Sequence, residues 1–260
     1  MPVPRGLKGG LYRAGLFRPM RSVYRAIFNR SEFRSERKMR GFYSEWIAKG
    51  DVVFDVGANI GQYTEIFSSL GARVIAIEPN PELCEGLRFL TYGGSVTVLP
   101  CAAGETPGRA VLHIYDRHEL SSLTDLWSKD APTVARAKCI GEIEVEVTTL
   151  DSMAAEYGVP SLVKIDVEGF DDAVIRGMSF KPKIVSFELN LAFPQVAERC
   201  LDAPIFASGY EFNFVRGTQM DLASPSWLDR NSIKSSLTDL LSGDVGSGDV
   251  IARRHESVTI

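Results

Sequence analysis

The chain has 260 residues, 45% hydrophobic and 24% charged, which fits one large α/β domain or at most two small ones and excludes a fibrous, collagen-like or globally disordered protein. Its four cysteines, Cys84, Cys101, Cys139 and Cys200, form no CxxC pair, so neither a zinc site nor a disulfide scaffold is expected and a reducing cytoplasm is the default location. The net charge of -4 hides an asymmetry: residues 1–40 carry eleven Lys/Arg and two Asp/Glu, +9, which leaves -13 for the rest.

Within that basic arm, Met20, Val23, Tyr24, Ile27 and Phe28 recur at helical spacing among Arg18, Arg21, Arg25 and Arg30, which predicts a basic amphipathic helix over 19–29. Such a helix docks on the domain or meets an anionic partner, peripheral membrane contact included. The N-terminal residues hold no uninterrupted apolar run, so no export signal is read, and no later stretch approaches the roughly 20 apolar residues that span a bilayer. Residues 1–40 are thus expected to be a helical extension and 41–260 a single α/β domain. Tyr43, Trp46 and Ile47 predict a short helix ended by KGD at 49–51.

The body then alternates. VVFDV (52–56) is a near-continuous apolar run, as expected of a parallel strand buried on both faces. A helix over 62–70, a strand RVIAIE (73–78), a helix over 81–90 and a strand VTVLP (96–100) follow, which predicts a parallel sheet with right-handed crossovers. Between 104 and 149 the pattern changes to RAVLHIY and EIEVEVTTL joined by a polar link, HELSSLTDLW, an inserted hairpin or flap. Alternation resumes with a helix over 150–157, strand LVKID (162–166), a helix over 171–176, strand KIVSFEL (183–189), a helix over 194–207 and strand YEFNFV (210–215). Residues 217–249 read as a loop-rich excursion with a short helix near 236–241 and a flexible SGDVGSGD, before a last strand, DVIARRH (249–255).

Seven strands in this order make a nucleotide-binding α/β sheet, whose ligand lies at the carboxyl ends of the strands beside the topological switch point. Two acids mark such ends. Glu78, about 20 residues beyond the glycine loop DVGANIG, is placed to accept hydrogen bonds from a ribose diol. Asp55 suits no pyrophosphate, which it would repel, and Gly57 and Gly61 frame G-x-x-x-G, with Ala58 and Asn59 inside, not the dinucleotide G-x-G-x-x-G. A ligand with an ammonium and a sulfonium in place of phosphates, S-adenosylmethionine, fits both acids; otherwise Asp55 caps its own loop. The small residues CAAG after the third strand leave room for an adenine against Cys101 and Ala102. In KIDVEGFD (164–171), Asp166 and Glu168 are candidates for a general base or a substrate anchor, with Glu188, closing IVSFE, a third acid at the same rim. Each could instead cap the helix that follows.

These residues resemble the FkbM family of S-adenosylmethionine-dependent methyltransferases, through FDVGANIGQYT (54–64), IEPNP (77–81), SSL (121–123), TLDS (149–152), KIDVEG (164–169) and SFE (186–188). The resemblance covers roughly 40–215. It implies a class I methyltransferase fold, Rossmann-like, with seven mostly parallel strands of which the last is antiparallel and helices on both faces, and O-methylation of a hydroxyl on a sugar, polysaccharide or natural-product acceptor. By position, Asp55, Gly57, Asn59 and Gly61 would line the methionyl end, Glu78 would hold the ribose, Asn80 and Ala102 would lie near the adenine, and Asp166 and Glu168 would face the transferring methyl. The candidate cofactor-binding set is then Asp55, Gly57, Ala58, Asn59, Gly61, Glu78, Pro79, Asn80, Cys101, Ala102, Ser122 and Asp166; the catalytic set is Asp166, Glu168 and Glu188.

Methyl transfer from a sulfonium needs alignment first and a base second. Ser121 and Ser122 lie on a loop that could close over the ligand or form a plain polar turn, and His113 and His118 sit in the insert with nothing else to mark them. Magnesium suits Asp166, Glu168 and Glu188 by donor type, but no histidine or tight acid cluster compels it, so no metal is assigned. The alternatives are a nicotinamide oxidoreductase, which the broken phosphate loop disfavours, and an inactive scaffold, which the retained acids disfavour. No nucleic-acid partner is expected from an acidic body that lacks an aromatic-flanked NPPY-type loop. The acceptor and the oligomeric state are not specified.

Overall fold

A computed structural model describes residues 30–91, 94–117, 120–129, 137–190, 193–217, 220–240 and 247–255. The expected helix over 19–29, His118 and most of SGDVGSGD lie outside them. The first described element is helix α1 (Arg30–Tyr43), not a helix centred on Tyr43 to Ile47. The charged run RSERKMR carries the helix, and Tyr43 ends it by seating its ring edge-on against Phe67, with centroids 5.0 Å apart.

Strand β1 (Val52–Val56), helix α2 (Gln62–Ser69), β2 (Arg73–Ile77), α3 (Pro81–Leu90) and β3 (Val96–Leu99) follow the expected alternation. Asn80 caps α3 by accepting the Glu82 N–H, and Pro81 occupies the first turn, where its missing donor costs nothing. The insert contains β4 (Ala102–Ala103), β5 (Gly108–Tyr115), a single turn α4 (Leu126–Lys129) and β6 (Cys139–Thr148); β5 and β6 form an antiparallel hairpin, with β4 on its other edge. Next come α5 (Leu150–Tyr157), β7 (Leu162–Ile165), α6 (Asp171–Arg176) and β8 (Ile184–Asn190). The helix expected over 194–207 breaks into α7 (Pro194–Leu201) and a 3-10 turn (Pro204–Ala207), because Pro204 cannot donate to a continuing helix. After β9 (Tyr210–Arg216), helix α8 (Arg230–Leu240) is longer than the apolar pattern implied: the Asp229 carboxylate accepts the Asn231 and Ser232 N–H groups at 2.9 Å and starts it six residues early. β10 (Ser247–Arg254) ends the described chain.

The seven main strands lie in the order β3-β2-β1-β7-β8-β10-β9, parallel except for β10, which runs antiparallel to both neighbours. This is the expected α/β class. Strand parity assigns the two faces. Val53, Val74, Leu162, Ile184 and Ile251 pack under α1 and α2 with Met39, Tyr43, Ile66 and Phe67, while Phe54, Ile75, Val163, Val185 and Val250 pack under α5, α6 and α7. The chain winds outward from β1 toward β3 and, on the other side, from β7 toward β8, so the switch point falls between β1 and β7.

Candidate active site

An open cleft lies at that switch point. It is walled by Val56, Gly57 and Asn59 after β1, by Ile77, Glu78 and Pro79 after β2, by Leu83, Ala102 and Ala103, by Leu112 and the loop Ser121 to Leu123 of the insert, and by Asp166, Val167, Glu168 and Phe170 after β7. Eight of the expected site residues are therefore brought together: Gly57, Asn59, Glu78, Pro79, Ala102, Ser122, Asp166 and Glu168.

The backbone here is under constraint. Gly57 has φ +80°, and a Cβ on it would lie 1.9 Å from the Asp166 carbonyl oxygen, so the close approach of β1 to β7 requires glycine. Asn59 (φ 49°) and Glu168 (φ 55°) are left-handed without being glycine, a cost of order 1–3 kcal/mol that persists where function holds it. Glu78 explains the first: its Oε2 accepts the Asn59 N–H at 2.9 Å, and its Oε1 accepts the Asn80 N–H at 2.8 Å. Burial pushes the Glu78 carboxyl up to about 7 despite those two donors. Ser122 explains the second. Its buried hydroxyl donates to the carbonyls of Glu168 (2.9 Å) and Val167 (3.1 Å), and its Oγ accepts the Thr124 N–H at 3.2 Å, so the insert is clasped to the turn after β7. Trp127 on α4 adds its indole N–H to Glu168 Oε2 at 3.1 Å. Glu168 is raised well above the ordinary carboxyl range, by burial first and then by Asp166 and Asp171.

Asp55 does not line the cleft. It lies inside β1, opposite Ala76 and Lys164, and points under α2, where its carboxylate accepts the Thr64 hydroxyl. Only 2% of it is exposed, and burial raises it to about 6. Asp55 is thus a buried strut in the free protein, and the acid at the cleft wall is Asp166. Ala58 packs on Ala76 and Leu87, Gly61 makes the turn into α2, Asn80 is a helix cap, and Cys101 is half-buried outside the cleft. His113 faces Glu142 at 3.1 Å and is likewise absent from the lining.

Sequence reasoning quoted Lys164 but gave it no role. Its side chain is fully buried, with Nζ 3.2 Å from Asp166 Oδ2 and 3.1 Å from Asp249 Oδ1, and lies 5.0 Å from the Tyr63 ring centroid. Burial disfavours its charge, but Asp166 and Asp249 outweigh that and hold it ionised. The signal was available: a lysine inside an otherwise apolar strand requires acids around it. Glu188 lies in a second, smaller pocket shared with Glu168, Gly169, Asp171, Asn190, Phe193 and Val196. Asp166, Glu168 and Glu188 each offer an oxygen within 4.8 Å of the others, which is the tight acid cluster that spacing alone did not reveal.

Residues 55–223 match the family described as the Methyltransferase FkbM domain. The hexuronic acid methyltransferase AglP of Haloferax volcanii is 28% identical over 167 residues, 62% of this chain and 64% of that protein, so the chain spans just under two thirds of that relative's length. Among solved structures, a TehB-like SAM-dependent methyltransferase from Corynebacterium glutamicum aligns over 91% of this chain and 100% of its own, at 11% identity and a TM-score of 0.43. A precorrin-6y C5,15-methyltransferase from Geobacter metallireducens aligns over 84% and 86%, at 12% identity and a TM-score of 0.42.

Proposed function

The chain belongs to the FkbM methyltransferase domain family, and from that premise we propose that it is an S-adenosylmethionine-dependent O-methyltransferase acting on a hydroxyl of a sugar, polysaccharide or natural-product acceptor. The observation that carries the reading is that the glycine loop, Glu78 and the Asp166–Glu168 pair line one cleft. The relative named as a hexuronic acid methyltransferase supports a saccharide among these acceptors.

The lining residues fit the cofactor. Each Glu78 oxygen holds one backbone N–H and keeps acceptor capacity for a ribose diol. Pro79, Leu83, Ala102 and Leu123 supply an apolar wall for a flat base, and the partly exposed Asp166 offers its charge to an ammonium group. When bound, S-adenosylmethionine supplies a methyl group on a cationic sulfur leaving group. The chain supplies alignment: Lys164 fixes Asp166, Trp127 and Ser122 fix Glu168, and the two carboxylates orient an acceptor hydroxyl, one of them taking up its single proton. Among the described residues no helix is long and apolar enough to cross a membrane, and all four cysteines are free, which supports a reducing compartment such as the cytoplasm.

Thermal denaturation with added ligand tests the reading. S-adenosylhomocysteine at a hundred times its dissociation constant should stabilise the protein by about 2.7 kcal/mol, and NAD should not. No shift at millimolar S-adenosylhomocysteine, or a shift with NAD instead, overturns it.

A further inference from the structure

Four carboxylates gather beside the cleft, and the described residues give them one cation. Asp166 faces Lys164, whereas Glu168, Glu188 and Asp171 have no cationic partner among the described residues. Their hydrogen bonds are neutral and leave acceptor capacity unused: Trp127 donates to Glu168 Oε2, Asn190 Nδ2 to Glu188 Oε1 at 3.2 Å, and the Gly169 N–H to Asp171 Oδ2 at 3.2 Å. Two further facts point to a ligand. One oxygen from each of Asp166, Glu168 and Glu188 falls within a 4.8 Å span, close to the separation of trans oxygens around a cation at 2.0–2.6 Å. Independently, Asp171, 1% exposed, lines the smaller pocket with Glu168 and Glu188 and buries its Oδ1 without any donor among the described residues, which normally costs about 1–3 kcal/mol.

We propose that Asp166, Glu168 and Glu188 bind one hard divalent cation, Mg²⁺ or Mn²⁺, beside the pocket that Asp171 lines together with Glu168 and Glu188. Oxygen-only donors select this class over zinc or copper. Trp127, Asn190 and Lys164 each hold one ligand carboxylate in place, the arrangement that orients metal ligands elsewhere. Asp166 and Glu168 also line the main cleft, so the open side of the ion faces it, where the oxygens of a sugar diol or a uronate carboxylate can complete the coordination. The site is argued from the carboxylate geometry and the unpartnered Asp171 oxygen, and with an ion bound Asp166 and Glu168 would act on the acceptor hydroxyl through it instead of as free carboxylates.

Mn²⁺ titration of the full chain without cofactor, followed by electron paramagnetic resonance, tests it. One equivalent of Mn²⁺ should lose its free-ion signal, and excess Mg²⁺ should restore it. Glu188→Gln should weaken binding at least tenfold. The same variant should melt higher than wild type in metal-free buffer, because it removes a charge from a crowded set; this shows that it folds. His113→Ala, in the other possible ligand group with Cys139 and Glu142, should leave the titration unchanged. Failure of the wild type to take up Mn²⁺ at millimolar concentration, or wild-type uptake by folded Glu188→Gln, overturns the site. Either result leaves the S-adenosylhomocysteine shift, and with it the methyltransferase reading, standing.

Discussion

Replacing Glu78 by glutamine separates the carboxylate's two tasks. In the free protein it accepts the Asn59 and Asn80 N–H groups, one on each oxygen. Glutamine keeps one acceptor and turns an amide N toward the other N–H, leaving a buried donor unpaired at a cost of about 1–3 kcal/mol. Against this, burial lifts Glu78 from 4.5 to about 7, so ionising it above that pH costs the folded state up to about 3 kcal/mol, which the neutral amide avoids. The sign follows from linkage: a raised carboxyl pKa favours folding below the unfolded value of 4.5, and that advantage is lost as pH rises through about 7. At pH 8 the two effects oppose, and Glu78→Gln should change stability by less than about 2 kcal/mol. Cofactor binding has no such compensation. A hydrogen bond from the ribose to a charged group contributes about 1.5–3 kcal/mol, so calorimetric affinity for S-adenosylhomocysteine should fall about 10- to 150-fold at pH 8. At pH 5.5 wild-type Glu78 is itself mostly protonated and the gap should narrow. Equal affinity of the two proteins at pH 8, or a gap that widens at pH 5.5, refutes the assignment of Glu78 to the ribose.

Asp55→Asn should leave S-adenosylhomocysteine affinity within about threefold of wild type by calorimetry, since its carboxylate meets Thr64 and not the cleft; a larger loss would return it to the binding wall. Lys164→Met strands Asp166 and Asp249 without a counter-charge and should cost about 3–5 kcal/mol in urea denaturation. A loss below about 1 kcal/mol would show that the lysine is not holding them. Gly57→Ala drives a Cβ to 1.9 Å from the Asp166 carbonyl at a positive φ and should destabilise by more than about 2 kcal/mol, read from the melting temperature.

The sheet was legible because buried parallel strands leave continuous apolar runs, and VVFDV, RVIAI and LVKI pair in parallel as expected. Where the sequence misled, the cause was local hydrogen bonding that an apolar pattern does not register, as with Asp229 starting α8, or a long-range contact, as with Tyr43 ending α1 on Phe67. Glu168 could be marked as an acid on a turn, but its left-handed backbone, its clasp by Ser122 and its indole partner come from an insert some forty residues away in sequence.

The misplacement of Asp55 follows from one row of the sheet. Val56, Ile77, Ile165 and Phe187 are register partners across β2-β1-β7-β8, so the next row outward is Glu78, Gly57, Asp166 and Glu188. A side chain in that outer row has left the ladder and can lean over the strand ends; a side chain two rows further in, with Asp55 beside Lys164, is held inside the ladder and points at the helices. Asp55 and Glu78 both stand near a strand end in the sequence, and only the register between strands shows that Asp55 stops two rows short of the position that Glu78 reaches. The same row explains why glycine occupies position 57. Its row neighbours are Glu78 and Asp166, and a Cβ there would lie 1.9 Å from the Asp166 carbonyl oxygen, so only glycine lets the two strand ends come together at the cleft. The site is thus a property of one sheet edge, where an oxygen-rich row with a single glycine opening faces the insert that closes it.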